Sequence, residues 1–162
     1  MPALAAAEDA VNGRLSSNWA GYVASRSGEY SAVGASWVVP KLSATTTLMT
    51  DVAWVGIGGS KSKALIQAGT HSAVQHERTQ YWAWYELLPA YQVVIPLAIT
   101  GGDEVEVSLT EVGDNLWYLS FINETTGAQY GQALEYRSRN NTAEWIEEMP
   151  VVYGRDGERA YA

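Results

Sequence analysis

Apolar and polar residues alternate with a period of two through much of the chain. The clearest case is Glu104–Leu109, where Val105, Val107 and Leu109 fall on one face and Glu104, Glu106 and Ser108 on the other. That pattern marks a half-buried strand, because successive side chains of a strand point to opposite faces. Asn115–Ile122 is rich in aromatic and β-branched residues and reads as a second strand. Turn signals at Glu111–Asp114 and Asn123–Gly127 set these off from Ala128–Tyr136, which predicts an antiparallel meander. Further strands are expected at Asn18–Ala24, Ala32–Val39, Asp51–Ile57, Ala64–Ala68, Ala73–Arg78, Gln80–Leu87 and Gln92–Ile95, punctuated by Gly, Pro and Ser. No long window carries helical periodicity. The expectation is an all-β fold, a sandwich or a barrel.

With 162 residues the chain suffices for one domain with a sizeable core. Its apolar runs are too short for a membrane-spanning helix. The net charge of −8 argues against nucleic acid and against anionic membrane surfaces, both of which need a basic footprint. No cysteine is present, which excludes disulfides, thiolate nucleophiles and Cys-ligated zinc. Residues 1–14 lack the charged start and apolar centre of an intact signal peptide and read as a leader or pro-segment remnant. Residues 15–162 read as a single domain.

The common catalytic constellations are missing. His71 and His76 are five apart, so on one strand they would point to opposite faces and could not share a metal. No Ser sits in a G-x-S-x-G elbow, and Gly56–Gly59 lacks the helix and Lys of a phosphate loop. Carboxylates, amides and aromatics remain. Alternation over Gln80–Pro89 places Trp82, Trp84 and Glu86 on one face and Tyr81, Ala83 and Tyr85 on the other, so both faces are expected to be covered. One face could pack on the core and the other floor a groove. The same pattern also fits core and surface aromatics with no further role. Glu144 and Ile146 share a face, with Trp145 and Glu147 opposite. On residue type alone, Glu144 reads equally as a solvated strand residue.

Five segments, in order, resemble the glutamic peptidases (eqolisins, peptidase family G1). Asn18-Trp19-Ala20-Gly21 resembles the family's NWAG, and Trp54-Val55-Gly56-Ile57 with Gly58-Gly59 its WVGIDG. Ile66-Gln67-Ala68-Gly69 is similar to the segment holding the catalytic Gln, and Tyr81–Glu86 with Pro89 to Y-x-AW-x-E-x-x-P. Ala143-Glu144-Trp145-Ile146 resembles the AEWI that holds the catalytic Glu. The resemblance implies two curved antiparallel sheets packed as a lectin-like β-sandwich, with a substrate groove. It implies Gln67 and Glu144 as the catalytic pair, and Trp54, Trp84 and Glu86 as residues that line or support the groove. It implies an acid endopeptidase that is secreted, pepstatin-insensitive and free of cofactor or metal, with polypeptide as its partner. In that chemistry Glu144, with an ordinary pKa near 4.3, is expected to be ionised at rest and to activate water. The Gln67 amide is expected to donate to the oxyanion, a role that does not titrate away in acid. The alternative reading is a non-catalytic sandwich that binds sugar or peptide on its aromatics.

The chain departs from the family at two positions in this stretch. Gly58 stands where the family carries Asp, and His71 lies where it carries an acidic residue. Both changes are expected to move the pH profile upward or to weaken activity, and His71 is a candidate replacement partner for the pair. The family also continues past AEWI with strands that Met149–Ala162, polar and turn-like, is not expected to supply. A second chain or homodimer partner is then expected to cover the open sheet edges. Asn123-Glu124-Thr125 and Asn140-Asn141-Thr142 match the glycosylation pattern and equally fit turns.

Overall fold

The computed structural model describes residues 16–25, 29–43, 49–60, 62–75, 77–149, 151–153 and 159–161. The segment 1–14 and His76 lie outside these. Every regular element is a strand. They are β1 Trp19–Ser25, β2 Ala32–Val38, β3 Met49–Gly58, β4 Leu65–Gln75, β5 Arg78–Leu87, β6 Val93–Val94, β7 Glu104–Gly113, β8 Leu116–Asn123, β9 Ala128–Glu135, β10 Thr142–Glu148, β11 Val151–Tyr153 and β12 Arg159–Tyr161. A six-stranded sheet runs β1-β10-β3-β4-β5-β6 and a four-stranded sheet β2-β7-β8-β9. All pairings are antiparallel.

The expected meander is β7, β8 and β9. Val105, Val107 and Leu109 of β7 and Trp117, Leu119 and Phe121 of β8 are wholly buried. They pack on Val55, Ile57, Ile66, Ala68, Ala83 and Tyr85 from the six-stranded sheet, forming the sandwich core. The sheets are also tied by indole donors. Trp37 Nε1 donates to Thr70 Oγ1 at 2.9 Å, and Trp145 Nε1 to the Gly34 carbonyl at 3.0 Å.

Two expectations need correction. The strands expected at Ala64–Ala68 and Ala73–Arg78 are one continuous strand, β4. Gly69, Thr70 and Ser72 look like turn residues but pair across the sheet instead. A Cβ on Gly69 would lie 2.1 Å from the Ala53 carbonyl and 2.7 Å from the Trp54 Cβ, so this glycine serves close packing within the strand. The turn comes later, around Glu77, whose φ is 61°. The segment after Met149 is not merely turn-like, since β11 and β12 pair there with each other.

Neither glycosylation pattern is presented as an acceptor. Asn123 is buried. Its Nδ2 donates to Asp103 Oδ2 and the Ala98 carbonyl, and its Oδ1 accepts from the Thr125 and Thr126 N–H groups. Asn140 is buried too, with φ of 50°, and donates to Glu111 Oε2. Both hold turns.

Candidate active site

On the six-stranded sheet, residues directly opposite in register share a face. Glu144 of β10 pairs with Gly56 of β3, Gly56 with Gln67 of β4, and Gln67 with Glu86 of β5. These four form one row across the sheet, on the face turned away from the sandwich core. The next row along the strands is Ile146, Trp54, Gly69 and Trp84, and the one after it is Trp19, Glu148, Val52, His71 and Trp82. All five residues expected in the site, Gln67, Glu144, Trp54, Trp84 and Glu86, therefore stand on the same face in two adjacent rows.

Gly56 separates the two central side chains. Neighbouring strands are about 4.8 Å apart, so the Glu144 and Gln67 backbones are about 10 Å apart across a position that carries no side chain. The Leu65 methyl and the Trp54 ring lean over it: a Cβ on Gly56 would meet Leu65 Cδ1 at 2.9 Å and Trp54 Cζ3 at 3.0 Å, so a methyl group there would push both aside. Val52, Trp54, Leu65, Trp84 and Ile146 form a second apolar cluster around the row, with Trp19, Trp82 and Leu88 against it. A cleft of about 390 Å³ opens here, lined by residues that include Trp19, Leu65, Gln67, Trp84, Glu86 and Glu148. Another of about 410 Å³ opens between the sheets beside Trp37 and Trp145, and neither Gln67 nor Glu144 lines it.

The electrostatics of the row are set by burial. Glu144 is 0% exposed, and neither carboxyl oxygen has a hydrogen bond of normal geometry. Desolvation therefore pushes its pKa up to about 7, although the nearby Thr142 hydroxyl and Ser60 N–H offset part of the effect. This corrects the sequence expectation of an ordinary carboxylate ionised in acid. Gln67 donates through Nε2 to Glu86 Oε2 at 2.5 Å, while its own Oε1 is buried without a partner. Burial also raises the Glu86 pKa. The Gln67 N–H holds it down in part, and the charge of Glu148 raises it further.

Three residues of this face had no role assigned from sequence. Glu148 accepts from Trp54 Nε1 at 2.9 Å and from Asn18 Nδ2 at 3.1 Å, and the rings of Trp19 and Trp54 meet edge-on at 5.0 Å. Glu148 thus bridges β10 to β3 and to the start of β1. Period-two counting from Glu144 through Ile146 puts Glu148 on this face, and that was the available signal. Asn18 and Trp19 served in the sequence only as motif markers.

The two departures also have physical readings. Gly58 has φ of 94°, and a Cβ there would lie 2.3 Å from the Ala64 carbonyl. The backbone at this point excludes a carboxylate side chain. His71 stands four residues along β4 from Gln67, bonds Thr50 Oγ1 through Nε2 at 2.8 Å and stacks on Trp82 at 4.0 Å. It touches neither member of the central pair. Among the described residues no group of three or more His, Asp or Glu side chains could hold a metal ion.

The Peptidase A4 family model matches residues 17–159. Among solved structures, scytalido-glutamic peptidase with a transition state analog inhibitor aligns with TM-score 0.74 and 26% identity, over 89% of this chain and 71% of that one. The eqolisin SCP-B, in complex with the tripeptide Ala-Ile-His, aligns with TM-score 0.67 and 26% identity, over 89% and 70%. Aspergilloglutamic peptidase from Aspergillus niger aligns with TM-score 0.60 and 28% identity, over 70% and 69%. No curated protein sequence matches the chain significantly.

Proposed function

The chain belongs to the Peptidase A4 family and is a glutamic endopeptidase, and from that premise we propose that Glu144 and Gln67 carry its chemistry on one shared water molecule. The observation that supports this most is the row itself. A buried carboxyl and a buried amide stand on either side of Gly56 on one face of the sheet, with no side chain of its own between them.

The roles follow from what each group can do. Ionised Glu144 takes a proton from water as it attacks the scissile carbonyl, then returns it to the leaving amine. Gln67 donates an N–H to the oxyanion as charge develops there, and one such donor contributes about 3–4 kcal/mol. Glu86 accepts the other N–H of the same amide and fixes which way it points. Trp19 and Trp84 supply apolar walls that bind substrate and thin out water around the reacting atoms, with Trp54 packed behind them.

Burial shapes the pH profile. A base raised toward 7 in the free enzyme is mostly protonated at pH 4. Water bound between Glu144 and Gln67 would donate to the carboxylate and bring that value down. The acid limb of kcat/KM is therefore expected between about 4.5 and 7, above that of an ordinary Glu. We propose secretion into a mildly acidic medium as the setting.

The test is digestion of an unfolded protein across pH 3 to 7, with wild type, Glu144→Gln and Gln67→Ala compared. Cleavage is expected to fall about 10³-fold or more in the first variant and about 10²–10³-fold in the second. Both variants should keep the native circular dichroism spectrum. Pepstatin is expected to leave wild-type cleavage unaffected. Undiminished cleavage by Glu144→Gln would sink the mechanism.

A further inference from the structure

The polar side chains of the cleft face are not evenly spread. Glu144, Glu86 and Glu148 occupy the rows nearest Gly56 or the cleft's β1 side. Going along β4 in the other direction, the side chains on the same face are His71, Ala73 and Gln75, and those on β5 are Trp82, Gln80 and Arg78. The basic groups of this face, His71 and Arg78, thus lie beyond the row of Trp54 and Trp84, with Glu148 two strands from His71 in the same row.

His71 is built into this face. Its ring lies on the indole of Trp82, with centroids 4.0 Å apart and planes at 27°. Thr50 holds Nε2, so the ring cannot turn freely. The row carrying His71 also carries Val52 and Glu148, which line the cleft beside Gln67. His71 stands next to Val52 on the same face, just past the residues that line the cleft. At about 3.3 Å per residue, it lies about 13 Å along β4 from Gln67, a span that an extended peptide covers in about four residues.

We propose that His71, seated on Trp82, is a specificity determinant that reads an acidic side chain of the substrate about four residues from the scissile bond. This rests on the reading of Gln67 and Glu144 as the site of cleavage. The remote contact supplies binding energy outside the reacting centre. Burial lowers the His71 pKa to about 4, close to that of a substrate Asp at about 3.9. Both partners are charged together only near that pH. The groups facing His71 are Thr50 and Val52 from β3, Glu148 beyond them from β10, Trp19 from β1, and Trp82, Gln80 and Arg78 from β5. Glu148 already accepts from Trp54 and Asn18. Arg78, exposed at the end of β5, adds positive charge on the same side.

The experiment uses quenched-fluorescence peptides with one cleavage site and Asp or Asn at each position out to five residues on either side. kcat/KM is measured from pH 3 to 6.5 for wild type and His71→Gln. Wild type is expected to prefer Asp over Asn by roughly threefold to tenfold at one position about four residues from the cut. That preference should peak near pH 4 and decay on both sides. In His71→Gln the ratio should fall to about one. Should that variant fail to fold, the bell-shaped pH dependence of the wild-type ratio carries the test alone. Cleavage of every peptide with no Asp preference, or a preference that His71→Gln retains, overturns this inference and leaves the Gln67 and Glu144 reading standing. Failure to cleave any peptide overturns both.

Discussion

The two sheets solve different problems with the same chain chemistry. In the four-stranded sheet, β7 alternates almost without interruption: Val105, Val107 and Leu109 are buried, and Glu104, Glu106 and Thr110 are exposed. Its outer face meets water. In the six-stranded sheet, β3 from Trp54 to Gly58 and β4 from Leu65 to Thr70 are buried at every residue. One face of those strands meets the sandwich core, and the other meets the tryptophans of the cleft. Covering a sheet on both sides while leaving Glu144, Gln67 and Glu86 on the covered face costs stability, since buried polar groups need partners. Glu144 and the Gln67 carbonyl have none of normal geometry. One sheet keeps its polar groups in water and the other holds them under cover without partners.

Several variants can break or sharpen that contrast. The largest effect should come from exchanging the roles. Phe121→Ala, in the four-stranded sheet, should lower unfolding free energy by about 3–5 kcal/mol and leave kcat of the folded fraction unchanged. Glu144→Gln should do the reverse, abolishing turnover while stability at pH 7 stays level or rises. Denaturant titration beside single-turnover assays separates the two. Next, Gly56→Ala should cut kcat by about 10²-fold, because the added methyl pushes Trp54 and Leu65 away from Gly56 and disturbs the geometry between Glu144 and Gln67. Gly34→Ala, in β2 of the other sheet, meets only the Val107 carbonyl at 3.1 Å and Ser108 Cβ at 3.2 Å. It should cost stability by about 1–3 kcal/mol and spare kcat. A smaller loss, about tenfold in kcat, is expected for Glu86→Gln, which replaces a charge-assisted acceptor of the Gln67 amide by a neutral one.

The gentlest test is the pH dependence of stability. Asp51 is raised to about 7, chiefly by burial and then by its neighbour Glu147, and Glu144 is raised to about 7 by burial. Between about pH 4 and 7 the unfolded chain has released these protons while the folded chain still holds them. Stability contributed by both groups therefore declines as pH rises through that window. His71, lowered to about 4 from 6.5, contributes in the opposite direction over pH 4 to 6.5. With two groups against one, Tm should be higher near pH 4 than near pH 7. Asp51→Asn should flatten that slope. A Tm that climbs steadily from pH 4 to 7 would contradict these assignments.

Much of this contrast was legible in the sequence, and the four-stranded sheet most of all. Alternation in Glu104–Leu109 and turn chemistry at Asn123–Gly127 are local signals, and β7 to β9 follow them. The face shared by Trp82, Trp84 and Glu86, and that shared by Glu144 and Ile146, also came from period two. Register did not. Nothing local says that Gly56 lies between Glu144 and Gln67, because the three come from strands far apart in the chain. Gly69 looked like a turn residue since its packing partners, Ala53 and Trp54, belong to another strand. The Glu144 pKa was misread for the same reason. Its ordinary value assumed solvent, and the burial that raises it comes only with the folded sheet.

The most direct test of the account is a double-mutant cycle on kcat with Glu144→Gln, Gln67→Ala and the double variant, in single turnover on one peptide. If the two side chains act on the same water, the double variant should be scarcely slower than Glu144→Gln alone, because the amide has no developing charge left to stabilise. Losses that multiply would show two groups acting independently and would contradict a shared water.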